Sequence, residues 1–244
     1  MRFMLKKSKI SAVKMFSDEW HTARLGKFTS SEIFFLMKPS GFEDGAMNYI
    51  RRKVGEELTG KTSKGEVDVE ATRWGAFYES EALQKFGRQK GLDFMIVQQL
   101  VSDPESRFGC TPDGLIVLRV SPDGTEHKVE TVEVKCPPTF DNYIRYFECE
   151  TPQDLKSESK QFYWQVLDQM DNCEALIGHF VVYHPDFKAG NMRVIQFNAM
   201  QSILGKNGKE FPIYNDLKLL RERKLMAVEQ FDKIRAKLMA VSVV

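Results

Sequence analysis

The stretch CTPDGLIVLRVSPDGTEHKVETVEVKCP, residues 110–137, decides how this chain folds. Two runs of apolar and β-branched residues, 114–120 and 127–136, flank SPDGT at 121–125, a turn-forming sequence, so the segment reads as a β-hairpin. In the second run Val132 and Val134 point to one face, Glu133 and Lys135 to the other. If the hairpin turns near Asp123, residues whose numbers sum to about 246 face each other, which sets Asp113 opposite Glu133 with Cβ atoms ~5 Å apart. Two carboxylates and a lysine then converge on one patch of sheet.

That set suits metal-assisted phosphodiester hydrolysis. Mg²⁺ is hard and binds a few carboxylate oxygens plus water. It polarises a phosphoryl oxygen, acidifies a bound water and stabilises a leaving oxygen. A lysine beside it can position the attacking water and offset charge building on the phosphate. The alternative is a charged surface hairpin in which Asp113 is only a turn residue after Pro112. Glu79 weighs against that alternative. On a helix expected at 71–88 it shares a face with Ala76, Leu83 and Phe86, and an acid on an apolar face is costly unless paired or metal-bound. A boundary glutamate reaching outward is the other reading. On a later helix Gln161, Gln165, Asp168 and Asn172 form a polar stripe opposite Phe162, Val166 and Met170, a pattern that solvated helix faces share.

Outward from the hairpin, residues 20–37 read as a turn and then a helix, with TSSE (29–32) a capping-box-like start. Residues 41–45 read as a loop. Ile50, Val54 and Leu58 mark a helix over 48–58, and TGKTSKGEVD (59–68) reads as an exposed loop. The helix at 71–88 is closed by Gly91. Strand character recurs at 94–101 and 107–110. A helix at 157–173 precedes the strand IGHFVVYH (177–184), stopped by Pro185, and a short strand at 193–197. A long charged helix, about 215–240, carries Leu217, Leu220, Val228, Phe231 and Leu238 on one side. Helices, a central antiparallel sheet, a helix and more strand predict an α+β or mixed α/β fold. The length of 244 residues suits one domain.

The composition narrows the function classes. No apolar run approaches the roughly 18 residues of a membrane span, and lysines interrupt the apolar pairs of the N-terminus, unlike a secretion signal. The four cysteines, Cys110, Cys136, Cys149 and Cys173, form no CxxC pair. They give no support to a zinc or iron–sulfur site and fit reduced thiols in a cytosol. With 35 basic against 34 acidic residues, the chain lacks the positive excess of a protein that merely coats nucleic acid. Acidic metal ligands can cancel a local basic groove, so the balance leaves DNA open.

At these residues the sequence resembles the lambda exonuclease (YqaJ-like phage recombinase) family of the PD-(D/E)XK nuclease superfamily. The matching blocks are WHTARLGKFTSSE (20–32), RWGAFYESEAL (73–83), CTPDGL (110–115), VEVKCP (132–137) and YWQVLDQM (163–170), in the family's order. The resemblance implies a central mixed sheet flanked by helices, and a Mg²⁺-dependent 5′-to-3′ exonuclease acting on double-stranded DNA ends, with Mn²⁺ a possible substitute. It implies Asp113, Glu133 and the Val134 carbonyl as metal ligands, Lys135 as the catalytic lysine, Glu79 as the acid from the preceding helix, and Gln165 as a glutamine contacting the site. Arg24 and Ser31, within an N-terminal helical DNA-end-binding part of about 1–70, match residues that hold the DNA 5′-phosphate, with Thr111 where the family often has serine. It also implies a ring of three subunits around DNA, a single-strand annealing partner for phage-type recombination, and the cytosol of a bacterial host. Two features depart from the pattern: the 113–133 hairpin is longer than usual, and the loop at 38–46 has a single lysine. Two other readings compete. A different nuclease on the same core, an endonuclease or a CRISPR-adaptation nuclease, would in the latter case need a four-cysteine cluster whose spacing is absent. A catalytically inactive DNA-end-binding module would be favoured by loss of Asp113, Glu133 or Lys135, and all three are present.

Overall fold

The computed structural model describes residues 4–15, 17–62, 70–92, 95–103, 105–204 and 210–241. In chain order the elements are β1 (Leu5–Lys6), β2 (Ile10–Lys14), α1 (Asp18–Arg24), β3 (Phe28–Thr29), a 3-10 helix (Ser30–Leu36), α2 (Ala46–Thr59), α3 (Glu70–Lys90), β4 (Met95–Val97), β5 (Gln99–Ser102), β6 (Phe108–Cys110), β7 (Gly114–Val120), β8 (Glu126–Lys135), α4 (Phe140–Phe147), α5 (Pro152–Glu158), α6 (Lys160–Asn172), β9 (Ile177–Tyr183), β10 (Met192–Asn198), β11 (Ser202–Leu204), β12 (Glu210–Pro212) and α7 (Ile213–Val241).

The hairpin forms with the expected register: Gly114 faces Val132 and Leu115 faces Thr131, before a bulge between Val117 and Arg119. It lies inside a six-stranded sheet of order β10-β9-β8-β7-β4, with β1 on the start of β8. That sheet is mixed rather than antiparallel. β8 and β9 run parallel, Glu133 beside Phe180, because α4, α5 and α6 carry the chain across between them, the connection a parallel pair requires. The two faces of β8 are buried differently. Val132 and Val134 pack with Leu83 and Phe86 of α3, while Glu133 turns toward α6. A second sheet, β2-β5-β6-β3, leads into the first. An added Cβ at Gly114 would lie 2.5 Å from Met95 Sδ, so the Met95 side chain of β4 packs directly against the strand just after Asp113.

Several local expectations change. The strand expected over 94–101 is broken at Gln98, whose φ is +51°, so β4 and β5 enter different sheets; Phe94 lies outside the described residues. The helix expected at 157–173 is two helices, because the Ser159 hydroxyl accepts from Phe162 N–H and starts α6 afresh. TSSE does not form a capping box: Thr29 caps nothing with its side chain, a 3-10 helix follows, and Glu32 pairs with Arg52 at 2.7 Å. The capping box belongs instead to Thr151 and Asp154 at the start of α5. Trp20 sits inside α1 rather than in a turn. The first seventy residues, expected to be helical, also carry β1, β2 and β3. Of TGKTSKGEVD, residues 63–68 lie outside the described residues. The four cysteines are free and buried, and among the described residues no helix is long and apolar enough to cross a membrane.

Candidate active site

β7 begins one residue after Asp113, and β8 runs past its start. The main-chain N–H of Val134 therefore has no strand partner on that side, and the Asp113 carboxylate takes the place of one, its Oδ2 accepting from Val134 at 2.6 Å. This single bond locks the carboxylate against the strand that carries Glu133 and Lys135. Glu133 is 2% exposed and Asp113 7%. Glu133 accepts from Lys135 Nζ on the same strand and from the side-chain amides of Gln165 and Gln169 on α6. Of the stripe on α6, Gln165 and Asp168 are buried, as is Gln169 beside them, while Gln161 is exposed and Asn172 half-buried. Gln169 was missed from sequence, although its four-residue spacing from Gln165 places both on one helix face.

Glu79 arrives from α3 and lines, with Val134, Lys135 and Tyr146, a cavity of 500 Å³. Its Oε1 accepts from the Gln98 side chain at 2.7 Å. Three carboxylates thus gather around one lysine. Burial, then Glu133 and Glu79, push the Asp113 carboxyl well above its ordinary range against the pull of Lys135 and the Val134 N–H. Burial raises Glu79 too, with the Gln98 bond opposing it. For Lys135 burial works against the charge, yet Glu133, Asp113 and Glu79 more than offset it and lift its pKa. Buried hard oxygens with a surplus of negative charge fit a hard divalent cation. Among the described residues no three His, Cys, Asp or Glu side chains form a ready cage, so a cation held by Asp113 and Glu133 would need main-chain oxygen, such as that of Val134, and water to complete its shell. It would also compete with Lys135, Gln165 and Gln169 for the Glu133 oxygens.

Arg24 and Ser31 share a second cavity, of 660 Å³, with Thr29, Glu32 and Lys53. The Arg24 guanidinium lies 3.8 Å over the Trp20 ring; burial lowers its pKa while Tyr49, Glu32 and Glu56 oppose that. Thr111 is not in the cavity wall but accepts from Trp20 Nε1 at 3.2 Å, so it braces the ring on which Arg24 rests. The segment bearing Ser31 is tied to α6 twice, by Ser30 Oγ donating to Asp168 at 2.6 Å and by Gln161 donating to the Ser31 carbonyl at 3.2 Å. Asp168 in turn meets Lys224 of α7 at 2.5 Å. The sequence-selected residues therefore fall into two groups: Glu79, Asp113, Glu133, Val134, Lys135 and Gln165 at the ends of β7 and β8, and Arg24, Ser31 and Thr111 around α1. Helix α6 touches both.

Residues 19–174 match the YqaJ-like viral recombinase domain. No curated protein matches in sequence. Among solved structures, the chain resembles an alkaline exonuclease from Laribacter hongkongensis at 18% identity and a TM-score of 0.63, over 92% of this chain and 100% of that one. The complex of that exonuclease with dAMP matches at 19% identity and 0.62, over the same shares of 92% and 100%. A phage-related exonuclease from Haemophilus somnus matches at 13% identity and 0.59, over 87% of this chain and 96% of that one. At these identities the likeness shows a shared fold.

Proposed function

The chain belongs to the YqaJ-like viral recombinase domain family, and on that premise we propose that it is a Mg²⁺-dependent exonuclease degrading one strand of duplex DNA from its ends, 5′ to 3′. The observation that carries this reading is the gathering of Glu79, Asp113 and Glu133 around Lys135 at the ends of β7 and β8, three carboxylates to one lysine. Bound by Asp113, Glu133 and the Val134 carbonyl, Mg²⁺ would supply Lewis-acid activation of the phosphodiester and of water.

The chain's own residues supply the rest. Lys135 directs a positive charge and hydrogen-bond donors to where the attacking water and the phosphate meet, stabilising charge that develops there. Gln165 and Gln169 hold the Glu133 carboxylate in one orientation, as preorganisation requires. In the other cavity Arg24 offers a planar fork to a terminal 5′-phosphate, and Ser31 adds a hydroxyl. Trp20 stacking beneath Arg24 keeps the fork from rotating away.

The same reading extends to a ring-like homotrimer around duplex DNA, a single-strand annealing protein as partner in recombination, and a place in the bacterial host cytosol. A near-neutral net charge of +1 is compatible with tracking along phosphate, which needs only a local positive lining. The test is digestion of linear against covalently closed duplex, with and without Mg²⁺. Loss of the linear form alone, and only with Mg²⁺, is the expected result; cleavage of the closed circle would make the protein an endonuclease, and an inert protein would make it an end-binding module. Light scattering that finds a stable monomer at working concentration would remove the ring.

A further inference from the structure

Gln98 stands where the chain leaves the six-stranded sheet at β4 and enters the four-stranded one at β5. Its φ of +51° is a left-handed conformation that glycine and asparagine adopt readily and glutamine does not. Glu174, the other described non-glycine residue with positive φ, directly follows the C-cap of α6, the ordinary place for that conformation. No helix end accounts for Gln98.

Two bonds do. Its main-chain N–H donates to the Asp113 carbonyl at 3.2 Å, and its side-chain amide donates to Glu79 Oε1 at 2.7 Å. The first bond needs no glutamine, since glycine would make it without strain. Only the second uses the side chain, so the reason for this residue at this strained position lies in the amide and what it holds. We infer that Gln98 is a positioning residue that fixes the Glu79 carboxylate beside Asp113 at the rim of the cavity containing Lys135. The inference rests on the proposed nuclease reading and deepens it by giving Glu79 a partner from a third element.

The chemistry of the donor matters. An arginine or lysine here would neutralise Glu79 and weaken the negative field that draws a cation, and a carboxylate would repel it. A neutral amide fixes the orientation of Glu79 and leaves its charge in place. The main-chain bond extends the same control to Asp113, so one residue sets the relative position of two acids contributed by α3 and by the turn before β7.

The experiment measures thermal unfolding and Mg²⁺-dependent digestion of linear duplex for wild type, Gln98→Gly, Gln98→Glu, Glu79→Gln and the Gln98→Gly/Glu79→Gln double variant. Gln98→Gly relieves the left-handed strain while loosening the unfolded chain, and these opposing effects leave Tm nearly unchanged. Its turnover is expected to fall about tenfold, as loss of a hydrogen bond to a charged group predicts, and to need more Mg²⁺ for half-maximal rate. Gln98→Glu, equal in size but without the donor, is expected to lose more. The double variant should be no slower than Glu79→Gln alone, because Gln98 acts through Glu79. Wild-type turnover and Mg²⁺ dependence in Gln98→Gly, or a further tenfold loss in the double variant, would overturn the inference with the nuclease reading intact. A wild-type protein inert with Mg²⁺ would instead remove the nuclease reading and this inference with it.

Discussion

Helix α6 sends buried polar side chains toward two groups of charge, and the two groups differ in balance. On one side Gln165 and Gln169 meet Glu133, where three carboxylates share Lys135. On the other, Asp168 and Asp171 meet Lys224 at 2.5 and 2.8 Å, Arg221 holds Asp171 at 2.6 Å, and Ser30 and Asn172 donate to Asp168. Two acids there face two cations. The titration of Asp171 follows the balance. Burial opposes the charge on Asp171, but Lys224 and Arg221 outweigh it and hold its pKa below the ordinary range, whereas Asp113 is driven well above. Asp168, fully buried, departs from that pattern: burial keeps its carboxyl raised, with Lys224 opposing. A buried cluster whose charges are matched favours one packing of its helices; a cluster with surplus acid is one that the proposed cation would balance.

That contrast is sharpest where activity and stability part company. Glu133→Gln, assayed well below its Tm, should lower Mg²⁺-dependent digestion by about 10³-fold; Lys135→Ala should show a comparable loss yet still bind Mg²⁺ by calorimetry. Rates near wild type in Glu133→Gln would break the assignment of the unbalanced cluster as catalytic. In the matched cluster the order reverses. Asp168→Ala strands Lys224 with Asp171 as its remaining anionic partner and should cost about 3 kcal/mol, the low end for breaking a buried pair, lowering Tm by roughly 6–12 °C for a chain of this size. A Tm unchanged by Asp168→Ala would show that the matched charges contribute nothing to the fold.

The Arg24 pocket tests the contrast at a distance, because the matched cluster anchors the segment bearing Ser31. Arg24→Ala should erase a preference for 5′-phosphorylated over 5′-hydroxyl ends, about tenfold for one charge-assisted contact, with activity on hydroxyl ends little changed. Equal loss on both ends would leave Arg24 a structural residue. The smallest effect is a gain: Asp113→Asn keeps an acceptor for Val134 N–H and removes carboxylate repulsion, so the metal-free variant should melt about 2–4 °C higher, roughly 1 kcal/mol, while being inactive. Mg²⁺ should then raise the Tm of wild type and not of the variant.

Much of the acidic cluster was legible in sequence. Asp113, Glu133 and Lys135 lie on one hairpin, where a two-residue alternation and a turn near Asp123 set the facing pairs, and the observed pairing of Gly114 with Val132 follows that rule. Glu79 was marked by its apolar helical neighbours. The matched cluster was not legible. Asp168 and Asn172 read as part of a solvated stripe, because nothing local shows that the Ser30 segment and α7 close over that face of α6. Nor was the broken strand at Gln98, since the residues around it carry strand propensity on both sides and the turn is imposed by where the two sheets meet.

Local spacing thus determined the hairpin, the face on which its acids and lysine lie, and the helix that adds Glu79, because side-chain direction in a strand or helix is set by backbone geometry within a few residues. The resemblance of five ordered blocks then pointed to the family and to a mixed sheet. Only the tertiary structure decided that β8 lies parallel to β9, that Gln169 joins Gln165 on Glu133, that Thr111 reaches Arg24 through Trp20, and that Lys224 answers Asp168. Each of these joins side chains or strands from separate elements, and which element covers which face is settled by the packing of the whole chain.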